Sequence, residues 1–138
     1  MKQHSTNYEN TFIEIAEDCP VCEGQVPPVK GDKKSVANLQ FEMLRHKPYQ
    51  YTSDDVFFGI FAIRKNLISS ELTEQRQQFF SKGQPCFRAS PLTKRYGWGV
   101  HSNEEGKVAL YGSETEKYQE FLNNATIAKV KAMRTKRG

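Results

Sequence analysis

Apolar and polar positions alternate over Thr11–Ala16, with Thr11, Ile13 and Ile15 on one side, and this period of two predicts a strand that ends at Asp18 and Pro20. The stretch from Cys19 to Lys34 holds three prolines, two glycines and three lysines and predicts a loop. A helical period follows. Val36, Leu39, Met43 and Leu44 share one face, Asp32 or Ser35 can start the helix, and it must end before Pro48. Val56, Phe57, Phe58, Ile60, Phe61 and Ile63 then wrap most of a helical circumference. A Thr52 or Ser53 cap precedes them, with Asp54 and Asp55 in the first turn, so this second helix is expected to be central. A third helix is expected from Ser69 or Ser70 through Leu72, Arg76, Phe79 and Phe80 to Gly83, which suits a left-handed C-terminal cap.

Residues 84–95 carry two prolines and no period, and predict a loop with at most one short strand. The strongest hairpin signal comes next: Tyr96–His101 and Lys107–Tyr111 both alternate, and Gly106 lies between them. Pairing His101 with Lys107 places Val100 opposite Val108 and Trp98 opposite Leu110 on an apolar face. Gly97, Gly99, His101, Lys107, Ala109 and Tyr111 then fall on the other face. Ser113-Glu-Thr-Glu116 has the form of a capping box and opens a helix with Tyr118, Phe121 and Leu122 inward. The basic C-terminal segment, residues 125–138, fits a short helix with Ile127, Val130 and Met133 on one side or a strand; the helix is the expectation. The order of elements predicts a single α+β domain over residues 1–138. Its small, largely antiparallel sheet includes the hairpin at about residues 95–112 and is covered by four or five helices, expected on one side.

Composition sharpens this picture by exclusion. With 37% hydrophobic residues, nine Phe, six Tyr and 26% charged residues, the 138-residue chain is neither disordered nor collagen-like. The longest apolar run, Val56–Ile63, is far too short to span a bilayer, and residues 1–10 contain no signal-peptide core, so a cytoplasmic protein without a membrane partner is expected. The net charge of +4 resides in the tail: removing Lys129, Lys131, Arg134, Lys136 and Arg137 leaves −1 for the rest. Nucleic-acid binding is thereby reduced to an alternative, weak and non-specific, through the tail.

Three cysteines, an odd number, argue for reduced thiols. Cys19-Pro-Val-Cys22 has the spacing of a zinc half-site, but the other soft donors, Cys86, His4, His46 and His101, supply no second pair. No metal and no cofactor are expected. A small enzyme using Cys86 or His101 in a pocket, with the imidazole able to serve the thiol as base, is the first alternative, ahead of nucleic-acid binding through the tail. Ser90-Pro91 lacks the glycine-flanked elbow of a hydrolase serine and predicts a turn. Gly31-Asp-Lys-Lys-Ser35, at a helix start, lacks the second glycine of a phosphate-binding loop and reads as a solvated lysine loop. Asp54 and Asp55 diverge by about 100° on a helix and cannot face each other as an acid–base pair.

The outward hairpin face is the favoured site. Gly97 and Gly99 leave two successive positions without side chains, which weakens a strand unless a ligand or another element comes close. A floor of Gly99 and Ala109 would be rimmed by His101, Lys107 and Tyr111, with Arg88, Lys94 and Arg95 arriving from the preceding loop. That rim suits an anionic small molecule or an acidic protein segment, and predicts a small binding or accessory protein.

Over Lys82-Gly-Gln-Pro-Cys-Phe-Arg-Ala-Ser-Pro-Leu-Thr-Lys-Arg-Tyr-Gly-Trp-Gly-Val-His101 and Gly106-Lys-Val-Ala-Leu-Tyr-Gly112 the chain resembles a domain-of-unknown-function family of short microbial proteins. The likeness extends to Tyr8-Glu-Asn-Thr-Phe-Ile-Glu14, Val26-Pro-Pro-Val-Lys-Gly-Asp-Lys-Lys34 and Tyr51-Thr-Ser-Asp-Asp-Val56, hence to nearly the whole chain. It implies no activity for these positions. A fainter, fold-level likeness of the hairpin and its following helix is to small iron-chaperone-like α+β proteins.

Overall fold

Phe12 and Ile13 are adjacent and both buried, on opposite sides of a strand at Thr11–Glu14 (β1). A strand with two dry faces must be interior to its sheet and covered above and below. It is so placed in the computed structural model, which describes residues 2–135. Two further strands, Trp98–Ser102 (β2) and Val108–Gly112 (β3), form the hairpin, and a fourth, Ala128–Lys131 (β4), lies on the other side of β1. The order is β3-β2-β1-β4; only the β1–β4 pair is parallel, with Thr11 beside Ala128.

Ile13 enters a core with Leu44, Val56, Ile60, Phe87, Val100 and Val108. This core is roofed by two helices, Val36–His46 (α1) and Ser53–Arg64 (α2), each started by a capping box: Ser35 with Asn38, and Thr52 with Asp55. Leu72–Phe79 (α3), entered through a 3-10 turn at Ser69–Glu71, packs Phe79 against Phe58 and Phe61 of α2. The N-terminal segment is pinned to the start of α2: the Thr6 N–H and hydroxyl both donate to Asp54 Oδ1, at 2.7 and 2.8 Å. The outer edge of β3 is covered by residues 49–52, since Tyr49 N–H donates to Val108 O and Val108 N–H to Tyr51 O. Phe12 enters a second core on the opposite face, with Tyr118, Phe121 and Ile127, beneath Glu116–Asn123 (α5).

The α+β class, the single small domain and the mostly antiparallel sheet are as the sequence predicts, and several local expectations are corrected. Helices cover both faces of the sheet, because Phe12 as well as Ile13 needs burial. The tail forms β4 instead of a helix, with Val130 facing the first core and its lysines outward; Lys136 and Arg137 lie outside the described residues. Residues 84–95 are helical: a 3-10 turn at Phe87–Ala89 and a short helix, Pro91–Lys94 (α4), whose cap is Ser90 and whose first residue is the preorganised Pro91. Thr115, not Ser113, caps α5, and α3 stops at Phe79 short of Gly83. The hairpin register is displaced by two residues, Trp98 opposite Gly112 and Val100 opposite Leu110, which keeps every side chain on its predicted face. Trp98 is buried against Phe41 and donates its indole N–H to Gln25 O. Finally, α2 is not central: Ile63 is 57% exposed and Phe57 and Phe61 are half-buried.

Candidate ligand site

The glycine floor of the hairpin is filled by the protein itself. A side chain at Gly99 would meet Phe12 Cζ at 2.5 Å and Tyr118 Cε2 at 2.7 Å, and one at Gly97 would collide with the Glu23 carbonyl. The His101 ring stacks on Phe121 of α5, centroids 4.2 Å apart, and its Nδ1 lies 2.8 Å from the Tyr49 hydroxyl, which in turn bonds the Tyr111 hydroxyl at 2.8 Å. His101 Nε2 is buried without a partner among the described residues. Burial, helped by the positive charge of Lys117, pushes the His101 pKa down, so the ring is held neutral. Burial and the Tyr111 hydroxyl push the Tyr49 phenol up, out of reach of ordinary titration. Tyr49 takes this position with φ of 59°, a left-handed conformation rare for a tyrosine.

The eight residues assigned to the hairpin surface therefore divide. Gly99, His101 and Tyr111 are packed beneath α5, and Gly97 beneath residue 23. Lys107 stands at the turn, 3.8 Å from Glu105. Arg88 donates its Nε–H to Lys131 O and accepts from Met133 N–H through its own carbonyl, so it holds the end of β4. Lys94 closes α4 beside Thr93, whose carbonyl accepts from Ala16 N–H. Arg95 lies on the α1 side of the sheet, across from His101, and it alone of the eight lines a cavity that we find suited to an anion.

That cavity, of about 470 Å³, lies between the loop before α1 and the end of α4. Its geometry follows from three polar contacts. Asn38, buried in the first turn of α1, accepts from Ser35 N–H and donates to Pro27 O at 2.8 Å, tying the proline loop to the helix start. Ser90 donates to Gln40 Oε1 at 2.6 Å, both side chains buried, and so fixes α4 against α1. Gly31, at φ of 70°, lets Lys30 and Lys33 bridge across a tight turn. Lys30, Lys33 and Lys34 then face Arg95 across the cavity at the N-terminus of α1. Lys34 pairs with Glu42 at 2.7 Å, whereas Lys30, Lys33 and Arg95 make no ion pair among the described residues. No carboxylate lines the cavity. The sequence showed the lysine loop and Arg95 separately; their meeting depends on the Gln40–Ser90 bond, for which no local period gives a signal.

Cys86 and His101 do not meet. Cys86 Sγ is 3.7 Å from the Tyr8 hydroxyl, on the side of the first core, and His101 is under α5, so the nucleophile–base pair has no geometry. Cys19 and Cys22 are free thiols, and among the described residues no three His, Cys, Asp or Glu side chains gather as a metal site would require. Asp54 receives the N-terminal segment as described above. Burial alone would raise the Asp55 carboxyl, but hydrogen bonds from Thr52 and Arg76 outweigh it and hold the group below its ordinary range. Both are spent on structure. No helix among the described residues is long and apolar enough to cross a membrane.

No curated protein and no solved structure matches the chain. A family model does match, over residues 3–138, and the strings that spread the resemblance across the whole sequence fall within it: the chain belongs to the family of unknown function DUF6157.

Proposed function

We propose that the protein is a small cytoplasmic binding or accessory protein that recognises an anionic group, phosphate or carboxylate, at the cavity between the lysine loop and Arg95. The observation that carries this reading is the convergence of Lys30, Lys33, Lys34 and Arg95, from two separate segments, on one cavity that no carboxylate lines. Holding unpaired cations close together is unfavourable in the empty protein, and an anion relieves it. The capping box takes the Ser35 and Asn38 N–H groups, which leaves those of Val36 and Ala37 without an intrahelical acceptor, and the helix dipole adds about 0.3–1 kcal/mol for a negative charge. Arg95 supplies a planar fork suited to two oxygens of one group, and the lysines act as point charges. The three free thiols fit a reducing compartment.

Pyrophosphate is a suitable probe, titrated into the full chain at low salt with backbone NMR shifts as readout. Saturable shifts at Ser35–Asn38 and Arg95 are expected, with binding about tenfold weaker in Arg95→Ala, the loss of one charge-assisted contact. Shifts that fail to saturate, or that survive combined Lys33→Ala and Arg95→Ala unchanged, overturn the reading.

A further inference from the structure

Val36, at the start of α1, borders the cationic cavity. Val36 also lines a second cavity of about 420 Å³, between α1, α2 and α3, whose floor is Phe57, Ile60, Phe61 and Phe79. Arg64 and Lys65, at the far end of α2, form its rim, and neither makes an ion pair among the described residues. The two cavities thus adjoin at Val36, with cations in both linings, aromatic rings in the second and no carboxylate in either. Phe57 to Lys65 spans about 12 Å of α2 at the helical rise, the length of about two helical turns.

The α2 sequence carries the same message. Its apolar residues surround the helix as in a fully buried one, yet Phe57 and Phe61 remain half-exposed. Charge complementarity selects the occupant. A second cationic surface would be repelled, and a purely apolar one would leave four or more cations partly desolvated and unpaired. From this, and resting on the anion-binding reading above, we infer that the aromatic cavity, with the cations that border it, docks an amphipathic helical segment of a partner protein. Leucine-like residues at i, i+3 or i+4 and i+7 fill the aromatic floor, and carboxylates flank them. Carboxylates on one flank of that segment meet Arg64 and Lys65, and those on the other meet Lys30, Lys33 and Arg95. The cavity at Arg95 is then the anchor for one acidic cluster of the partner.

Three synthetic peptides test this by fluorescence anisotropy with the full chain: leucines at helical spacing with glutamates on the flanks, the same leucines with lysines, and the glutamate peptide scrambled to break the helical period. The glutamate peptide is expected to bind at least tenfold more tightly than the other two. The exposed pair Arg64→Glu/Lys65→Glu is expected to weaken it about tenfold while leaving pyrophosphate binding unchanged, with folding checked by circular dichroism because both stand at the C-terminal end of α2. Phe61→Ser is expected to weaken it as well, with folding checked by circular dichroism. Equal binding of all three peptides, or none, overturns the inference, and if pyrophosphate still binds, the anion site stands alone. Laurate binding at the groove with no peptide binding identifies a small amphiphile instead. A concentration-dependent dimer that Arg64→Glu/Lys65→Glu abolishes identifies a second copy of the chain. Either result overturns the partner assignment.

Discussion

Gly99→Ala measures how tightly the second core is closed. The added methyl carbon would stand 2.5 Å from Phe12 Cζ, 2.7 Å from Tyr118 Cε2 and 3.0 Å from Phe12 Cε1. Carbon pairs prefer about 3.5–4.0 Å, so both rings must retreat by about 1 Å. Neither has room. Phe12 is held edge-on by Tyr118 at 4.9 Å and stacked by Phe121 at 5.0 Å, and is wholly buried. Moving Tyr118 also stretches the 3.0 Å bond that its oxygen accepts from Ile15 N–H. Overpacking costs about 1–3 kcal/mol, and a weakened buried hydrogen bond adds about 1 kcal/mol, so roughly 2–4 kcal/mol is expected. For a domain of this size each kcal/mol lowers Tm by about 3 °C, giving a fall of about 6–12 °C in a thermal scan followed by circular dichroism. Trimming the obstructing ring with Phe12→Leu should offset part of the loss, so that the double variant is more stable than the two single costs added together. A Gly99→Ala protein that melts within about 2 °C of the parent would mean that the face is open, and the packed account of His101 and Tyr111 would fall with it.

Two further outcomes follow from the same packing. His101 binds a proton less readily folded than unfolded, so the unfolded state gains protons as pH falls below about 6.5, and stability drops from there until the lower folded pKa is passed. His101→Gln should flatten that stretch of the stability curve, measured by urea unfolding between pH 8 and 5, and an unchanged slope would assign the titration elsewhere. Truncation after Asn124 removes β4 and the buried Ile127 and Ala132, and uncovers one edge of β1. The truncated chain should lose its cooperative thermal transition and aggregate; a soluble product with a sharp transition would show that the tail contributes charge alone.

What the sequence made legible was local. The caps at Ser35 and Thr52, the aromatic–glycine alternation of Tyr96–His101 and the faces of the hairpin all follow from periods of a few residues. The register is displaced by two because the alternation is the same at either setting; the turn is closed by Asn103, whose side chain accepts from the Glu105 and Lys107 N–H groups and whose N–H donates to Lys107 O. The strand is one of two readings the tail allows, and the helix is preferred over it because Ala128-Lys-Val-Lys131 has one inward apolar residue, too little to separate a strand from a helical stripe of Ile127, Val130 and Met133; its outward lysines are what an edge strand carries. The gap at Gly99 was visible, but the rings that fill it come from β1 and α5. For the site, the cations are legible in the sequence and their common cavity is not, since the Ser90–Gln40 bond that unites them joins two buried polar residues with no periodic signature.

The position of β1 between β2 and β4 also sets a timetable for biosynthesis. Thr11–Glu14 leaves the ribosome early, but its parallel partner Ala128–Lys131 follows only after every other element has been made. Until then one edge of a strand carrying Phe12 and Ile13 has nothing to pair with, and the sheet cannot close. Such long-range pairing slows folding and leaves nascent chains exposed to association. Cotranslational assembly can organise the helices α1 to α4, but the native sheet forms only once β4 has emerged, so messages that end early yield products that retain an adhesive edge and fall to proteolysis.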